Sequence, residues 1–146
     1  MPRQRKGEKP RRPHAHLIDT NVIIRFLIGD DPSKAARATE LMARVESAKE
    51  IVEIPESVVT ETVWTLESYY KVPRAETAQN LGKLLCFPGV RVESRDVFLQ
   101  ALYHYSNTSA DFVDCMLAAR SQHEKLPVYT FDETDFKKLG VDWQAP

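Results

Sequence analysis

Five carboxylates stand where a folded chain has little structural use for a charge. Asp19 breaks the apolar run of "LIDTNVIIRFL", and Asp132 follows "VYTF" in the same manner. A charge at the edge of a core costs on the order of several kcal/mol unless something compensates it. Glu61 lies beside the apolar stripe Val59, Val63, Leu66 and Tyr70, which recurs at helical spacing. Asp111 and Asp114 are three residues apart in "SADFVDCMLAA", so they share one helix face, which continues inward through Leu117 and Ala118. Most of these acids have a simpler use. Asp19 and Asp132 suit the N-cap of a following helix, Glu61 suits a partly exposed helix face, and Asp111 suits a helix start favoured by the dipole. Asp114 has no such use, because it falls on the inward side of the first turn. Acids converging at one edge repel one another unless a cation sits between them. Oxygen donors of this kind select a hard cation, Mg²⁺ or Mn²⁺.

Other chemistries find no support. The four histidines and two cysteines have no metal-ligand spacing, and the five glycines are scattered singly, so there is no phosphate-cradling loop. No G-x-S-x-G elbow is present, and neither Ser57 nor Ser68 has a base at a recognisable spacing. The aromatics Trp64, Tyr69, Tyr70, Phe98, Tyr103 and Tyr105 are expected in the core rather than on a base-stacking platform.

The elements that must position the acids follow from the pattern. Residues 1–14 carry six basic side chains against one Glu, Arg11 and Arg12 among them, while the other 132 residues are net acidic. This Pro-rich stretch lacks periodicity and is expected to be a disordered tail, with one domain over 15–146. Short strands are expected at His16 to Ile18, in "EIVEIP", in "GVRVES" and, buried, in "PVYTF", with helical stretches between them. That alternation predicts an α/β fold with a central, mainly parallel sheet and helices on both faces. Ligands in such folds bind beyond the C-terminal strand ends, where Asp19 and Asp132 fall. Asp19 and Arg25 interrupt the most apolar stretch, so no membrane span is expected, and no secretory signal pattern follows the charged N-terminus. Cys86 and Cys115 sit in apolar surroundings and are expected to be reduced thiols of a cytoplasmic protein.

With these residues placed, the chain resembles the PIN-domain ribonucleases, and within them the VapC-type toxins of bacterial toxin–antitoxin pairs. The pieces that carry the resemblance are "LIDTNVIIRFL", "IPESVVTETVWTLES", "SADFVDCMLAA" and "VYTFDETDF", in family order over about residues 15 to 140. The resemblance implies a three-layer fold, normally a homodimer, with a Mg²⁺- or Mn²⁺-dependent endoribonuclease activity that a small antitoxin blocks. It places Asp19, Glu61 and Asp114 at the three core metal-binding positions and Asp132 at a fourth, more variable one. Asn21 and Thr130 match polar residues that hydrogen-bond within the site, and Asp111 stands behind the ligands. The basic tail departs from the family, whose members usually begin close to the first strand. Candidate contacts to the RNA backbone are the tail, Arg25, Arg74, Lys137 and Lys138. Two other readings use the same acids: another Mg²⁺-dependent phosphohydrolase, for which "DTN" lacks the second acid of a DxD motif, and an RNA-binding module without toxin activity.

Overall fold

The structure, a computed structural model, describes residues 14 to 146. The expectations for the basic tail, including Arg11 and Arg12, lie outside the described residues. Three short strands, β1 (His16–Leu17), β2 (Val52–Glu53) and β3 (Val90–Arg91), pair in parallel in that order. Parallel neighbours need a crossover. Here the crossovers are helix pairs: α1 (Thr20–Ile28) with α2 (Pro32–Glu46), then α3 (Glu56–Ser68) with α4 (Arg74–Leu85). Two packed helices follow, α5 (Arg95–Asn107) and α6 (Phe112–Glu124). The chain closes with β4 (Val128–Tyr129), α7 (Glu133–Leu139) and β5 (Trp143–Gln144).

The local signals explain the element ends. Asp31 caps α2 by accepting from the Lys34 amide at 3.1 Å, and Pro32 starts the helix at the position where a missing N–H costs nothing. Gly29 ends α1 at φ +72°, with its N–H on the Arg25 carbonyl. Gly89 is required by close approach. A Cβ there would lie 2.2 Å from the Glu50 carbonyl oxygen and 2.5 Å from that of Val45. That crowding lets the Gly89 carbonyl accept from Val52 and seat β2.

The α/β fold with a parallel sheet is as the alternation predicts, and the departures are local. "PVYTF" is not a buried strand of the main sheet. β4 pairs in parallel with β5, Val128 opposite Trp143, in a separate two-stranded sheet that leaves Tyr129 74% exposed. β5 lies in "VDWQAP", where no apolar run of the kind that marks the other strands announces it. The helix aromatics divide rather than all entering the core: Phe98 and Tyr105 are buried, while Trp64, Tyr69 and Tyr103 stand exposed. The buried stripe of α3 is Val59, Thr62, Val63 and Leu66, and Trp64 lies one residue outside it. For the same reason Leu117 points outward although its neighbour Ala118 is buried. Both cysteines are free thiols, but Cys86 is exposed and only Cys115 is buried.

Arg74 also departs from its expected role. Rather than facing solvent for RNA, it donates from Nε to the Tyr105 carbonyl at 2.8 Å and from Nη1 to Glu67 at 3.2 Å. Its guanidinium lies 3.8 Å from the centre of the Tyr105 ring.

Candidate functional site

Three of the singled-out acids open helices. Asp19 is the N-cap of α1 and Asp111 of α6, both in extended backbone, and neither uses its side chain for a cap bond. Their carboxylates therefore remain free of the helix they start. Asp132, the N-cap of α7, differs: its Oδ1 accepts from the Asp135 amide at 3.1 Å, so here the capping use is realised. The Thr130 hydroxyl in turn accepts from the Asp132 amide at 2.9 Å and fixes the turn out of β4.

Among the described residues, Asp114, Asp132 and Asp135 each offer a carboxylate oxygen within 4.8 Å of the others. Asp114 reaches this group from the first turn of α6, Asp132 from the N-cap of α7 and Asp135 from its first turn, and α7 packs on α6. Burial raises the Asp114 carboxyl above its usual range, and the charges of Asp111, Asp132 and Asp135 raise it further. Like charges are thus held together, and among the described residues no salt bridge reaches any of the three. Asp135 escaped the sequence reading because a search of strand ends stops at Asp132. Asp132 and Asp135 repeat the three-residue spacing of Asp111 and Asp114, but in the polar stretch "DETDFKK" that spacing singles out nothing.

Asp19 and Glu61 stand outside that 4.8 Å group. They are nevertheless linked to each other through the next residue. Thr20, buried at the start of α1, donates its hydroxyl to Glu61 Oε2 at 2.8 Å across the contact of α1 with α3. Glu61 is exposed, so the stripe beside it does not bury it. Its orientation comes from Thr20 instead. Since α3 also packs against α6, the helices bearing Asp19, Glu61 and Asp114 are in mutual contact through α3. If Glu61 works in the site, replacing Thr20 with Val keeps the shape and releases the carboxylate. Thr20→Val is expected to lower activity about tenfold, as loss of an orienting partner commonly does. An unchanged rate in a steady-state assay would detach Thr20 from the site.

The remaining candidates sit as follows. Asn21 is exposed at a hollow between α1 and α2 lined by Val22, Arg25, Lys34, Arg37 and Leu41, and makes no side-chain hydrogen bond among the described residues. Arg25 pairs with Asp30 at 2.6 Å, which also accepts from the Tyr70 hydroxyl at 2.9 Å. Lys137 lies 6.0 Å from the centre of the Trp143 ring, and Lys138 is exposed on α7.

A family model described as the PIN domain matches residues 16–142. The chain belongs to the PIN domain family. It is also similar to the VapC ribonuclease of Aquifex aeolicus (strain VF5), with 27% identity over 130 residues that cover 89% of this chain and 96% of the relative. The likeness to VapC-type PIN ribonucleases carried by the four motifs therefore extends along nearly the whole chain.

This PIN domain presents a donor set that fits a divalent cation of the hard class. All three clustered groups are carboxylates, among the described residues no thiol or imidazole joins them, and burial with the neighbouring acids disfavours the ionised Asp114. Among the described residues no helix is long and apolar enough to cross a membrane.

Proposed function

We propose that this PIN domain is a Mg²⁺- or Mn²⁺-dependent endoribonuclease and the toxin of a toxin–antitoxin pair. The observation that carries the reading is the Asp114 carboxylate, half-buried against Asp132 and Asp135 with its ionised form disfavoured. A purely structural acid would gain from an Arg or Lys at this place. The Aquifex aeolicus relative, named a VapC ribonuclease, supports RNA as the substrate.

In this reading Asp114, Asp132 and Asp135 hold the cation together with Asp19 and Glu61. The bound ion would supply Lewis acidity and charge neutralisation at a phosphodiester. The chain's own groups do the positioning. Glu61 engages Thr20 through Oε2, which orients its carboxylate. Asp111 adds negative charge behind Asp114, while Thr130 sets the backbone at Asp132. The acidic site offers RNA no direct cation, so Lys137, Lys138, Arg25 and the tail residues Arg11 and Arg12 are assigned to the backbone phosphates. The same acidity makes the site a receptor for an Arg of an antitoxin, whose fork matches carboxylates. The reading includes a cytoplasmic homodimer, for which the exposed Trp64, Tyr69 and Tyr103 leave apolar surface.

The test is cleavage of a single-stranded RNA by the purified protein in Mg²⁺, in Mn²⁺ and in EDTA, with the product ends identified. Cleavage in either metal, none in EDTA, and ends bearing 5′-phosphate and 3′-hydroxyl are expected, since water is the nucleophile. Full activity in EDTA, or 2′,3′-cyclic phosphate ends, would reject the reading.

A further inference from the structure

Arg74 is distant in sequence from the site acids, yet its contacts reach two of the segments that carry them, α3 and the start of α6. From the start of α4 its guanidinium donates to the carbonyls of Tyr105 and Ala110 and to the Glu67 carboxylate, and it covers the Tyr105 ring. Glu67 lies on α3, the helix that bears Glu61, and its other oxygen accepts from the Tyr105 hydroxyl at 2.9 Å. Ala110 immediately precedes Asp111, the N-cap of α6, whose first turn holds Asp114. The turn is fixed from its own side as well. The Ala110 amide donates to the Thr108 hydroxyl at 3.3 Å, and that hydroxyl donates to the His104 carbonyl at 2.8 Å.

We propose that Arg74 is a positioning residue for the acidic site, clamping the Ala110 carbonyl to α3 and thereby setting where the Asp111–Asp114 turn is presented. This deepens the metal-site reading above and rests on it. The fork geometry is what matters: a guanidinium satisfies two carbonyls and a carboxylate at once, whereas an ammonium is a point charge that cannot span them. Lys at this place retains the pairing with Glu67 and loses the clamp.

A matched control exists in the same fold. Arg95 also donates to two carbonyls, those of Leu85 and Val90, both at 2.8 Å, but it joins α5 to the end of α4 and to β3, and among the described residues its guanidinium makes no hydrogen bond to α3 or to the α6 turn. Binding of Mn²⁺ to the full chain, measured by calorimetry in the absence of RNA, separates positioning from general destabilisation. Arg74→Lys is expected to weaken Mn²⁺ binding about tenfold, while Arg95→Lys leaves it within about twofold of wild type even where both lower the melting temperature equally. Glu67→Gln keeps an acceptor for Tyr105 and removes the anion that holds Arg74. It is expected to weaken Mn²⁺ in the same direction, and it provides the comparison if Arg74→Lys does not fold. Wild-type affinity in the Arg74 and Glu67 variants, or an equal loss in the Arg95 control, overturns the positioning role alone. Absence of Mn²⁺ binding by wild type overturns the metal-site reading and this inference with it.

Discussion

Asp114→Asn abolishes RNA cleavage and leaves the metal-free protein at least as stable as wild type: this is the expected result that discriminates most sharply. The substitution preserves shape and removes one charge from a cluster whose oxygens lie within 4.8 Å of one another. At such separations like charges cost about 1 kcal/mol even where the environment is water-like. Added Mg²⁺ should raise the melting temperature of wild type and barely move the variant. A ligand bound only by the folded state contributes about 2.7 kcal/mol at a hundred times its dissociation constant. The pH dependence in EDTA has a definite sign. The folded pKa of Asp114 is raised, so the folded chain binds more protons than the unfolded one between the ordinary carboxylate value and the raised one. The ionised group is a net cost above that window, and the cost disappears as pH falls through it. The stability difference between variant and wild type should therefore shrink toward about pH 4. Equal Mg²⁺ responses in the two proteins would remove Asp114 from the site.

Asp135→Ala is expected to reduce cleavage on the order of a hundredfold with no loss of stability, whereas Asp132→Ala loses both. The two acids sit in one group but do different structural work. Asp132 Oδ1 caps α7 on the Asp135 amide, and removal of a cap typically costs about 1 kcal/mol. Asp135 enters that bond only as the backbone N–H donor, not through its side chain. Truncating it leaves the capping bond in place and removes one carboxylate from the cluster, so only the loss of a ligand is felt. Thermal melts in EDTA and initial rates in Mn²⁺, taken on both variants, separate the two contributions. A destabilised Asp135→Ala with near-normal activity would reverse the assignment and leave Asp132 as the sole working acid of this turn.

Part of the candidate site was legible because charge is conspicuous where burial is expected. Asp19 after "LI", Asp132 after "VYTF" and Asp114 within a helix face all break an apolar pattern, and the pattern has a strict period that makes the break visible. Asp135 breaks nothing. It lies in "DETDFKK", a polar stretch where another acid carries no information, and only the packing of α7 on α6 reveals that it meets Asp114. Thr20 is silent for the opposite reason, since a threonine at the first helical position is ordinary until Glu61 is found 2.8 Å from its hydroxyl.

The sequence by itself determined where several helices start and stop and the order of every element but β5, because capping and breaking residues act on their own neighbours. Gly29 and Gly140 adopt left-handed backbone conformations that few other residues tolerate, and Asp31 with Pro32 starts α2 without help from the rest of the chain. It also determined the parallel α/β class, since short strands separated by long helical stretches leave no room for hairpins. Tertiary structure alone decided which side chains meet across those elements. Trp64 and Tyr105 have similar composition and helical context, yet one is exposed and the other buried under Arg74. Arg74 itself reads as a surface cation until residues 31 and 36 positions further along supply the carbonyls that hold it. Such contacts depend on the angles at which whole helices cross, and those angles are set by the sum of all the packing between them rather than by any local stretch of chain.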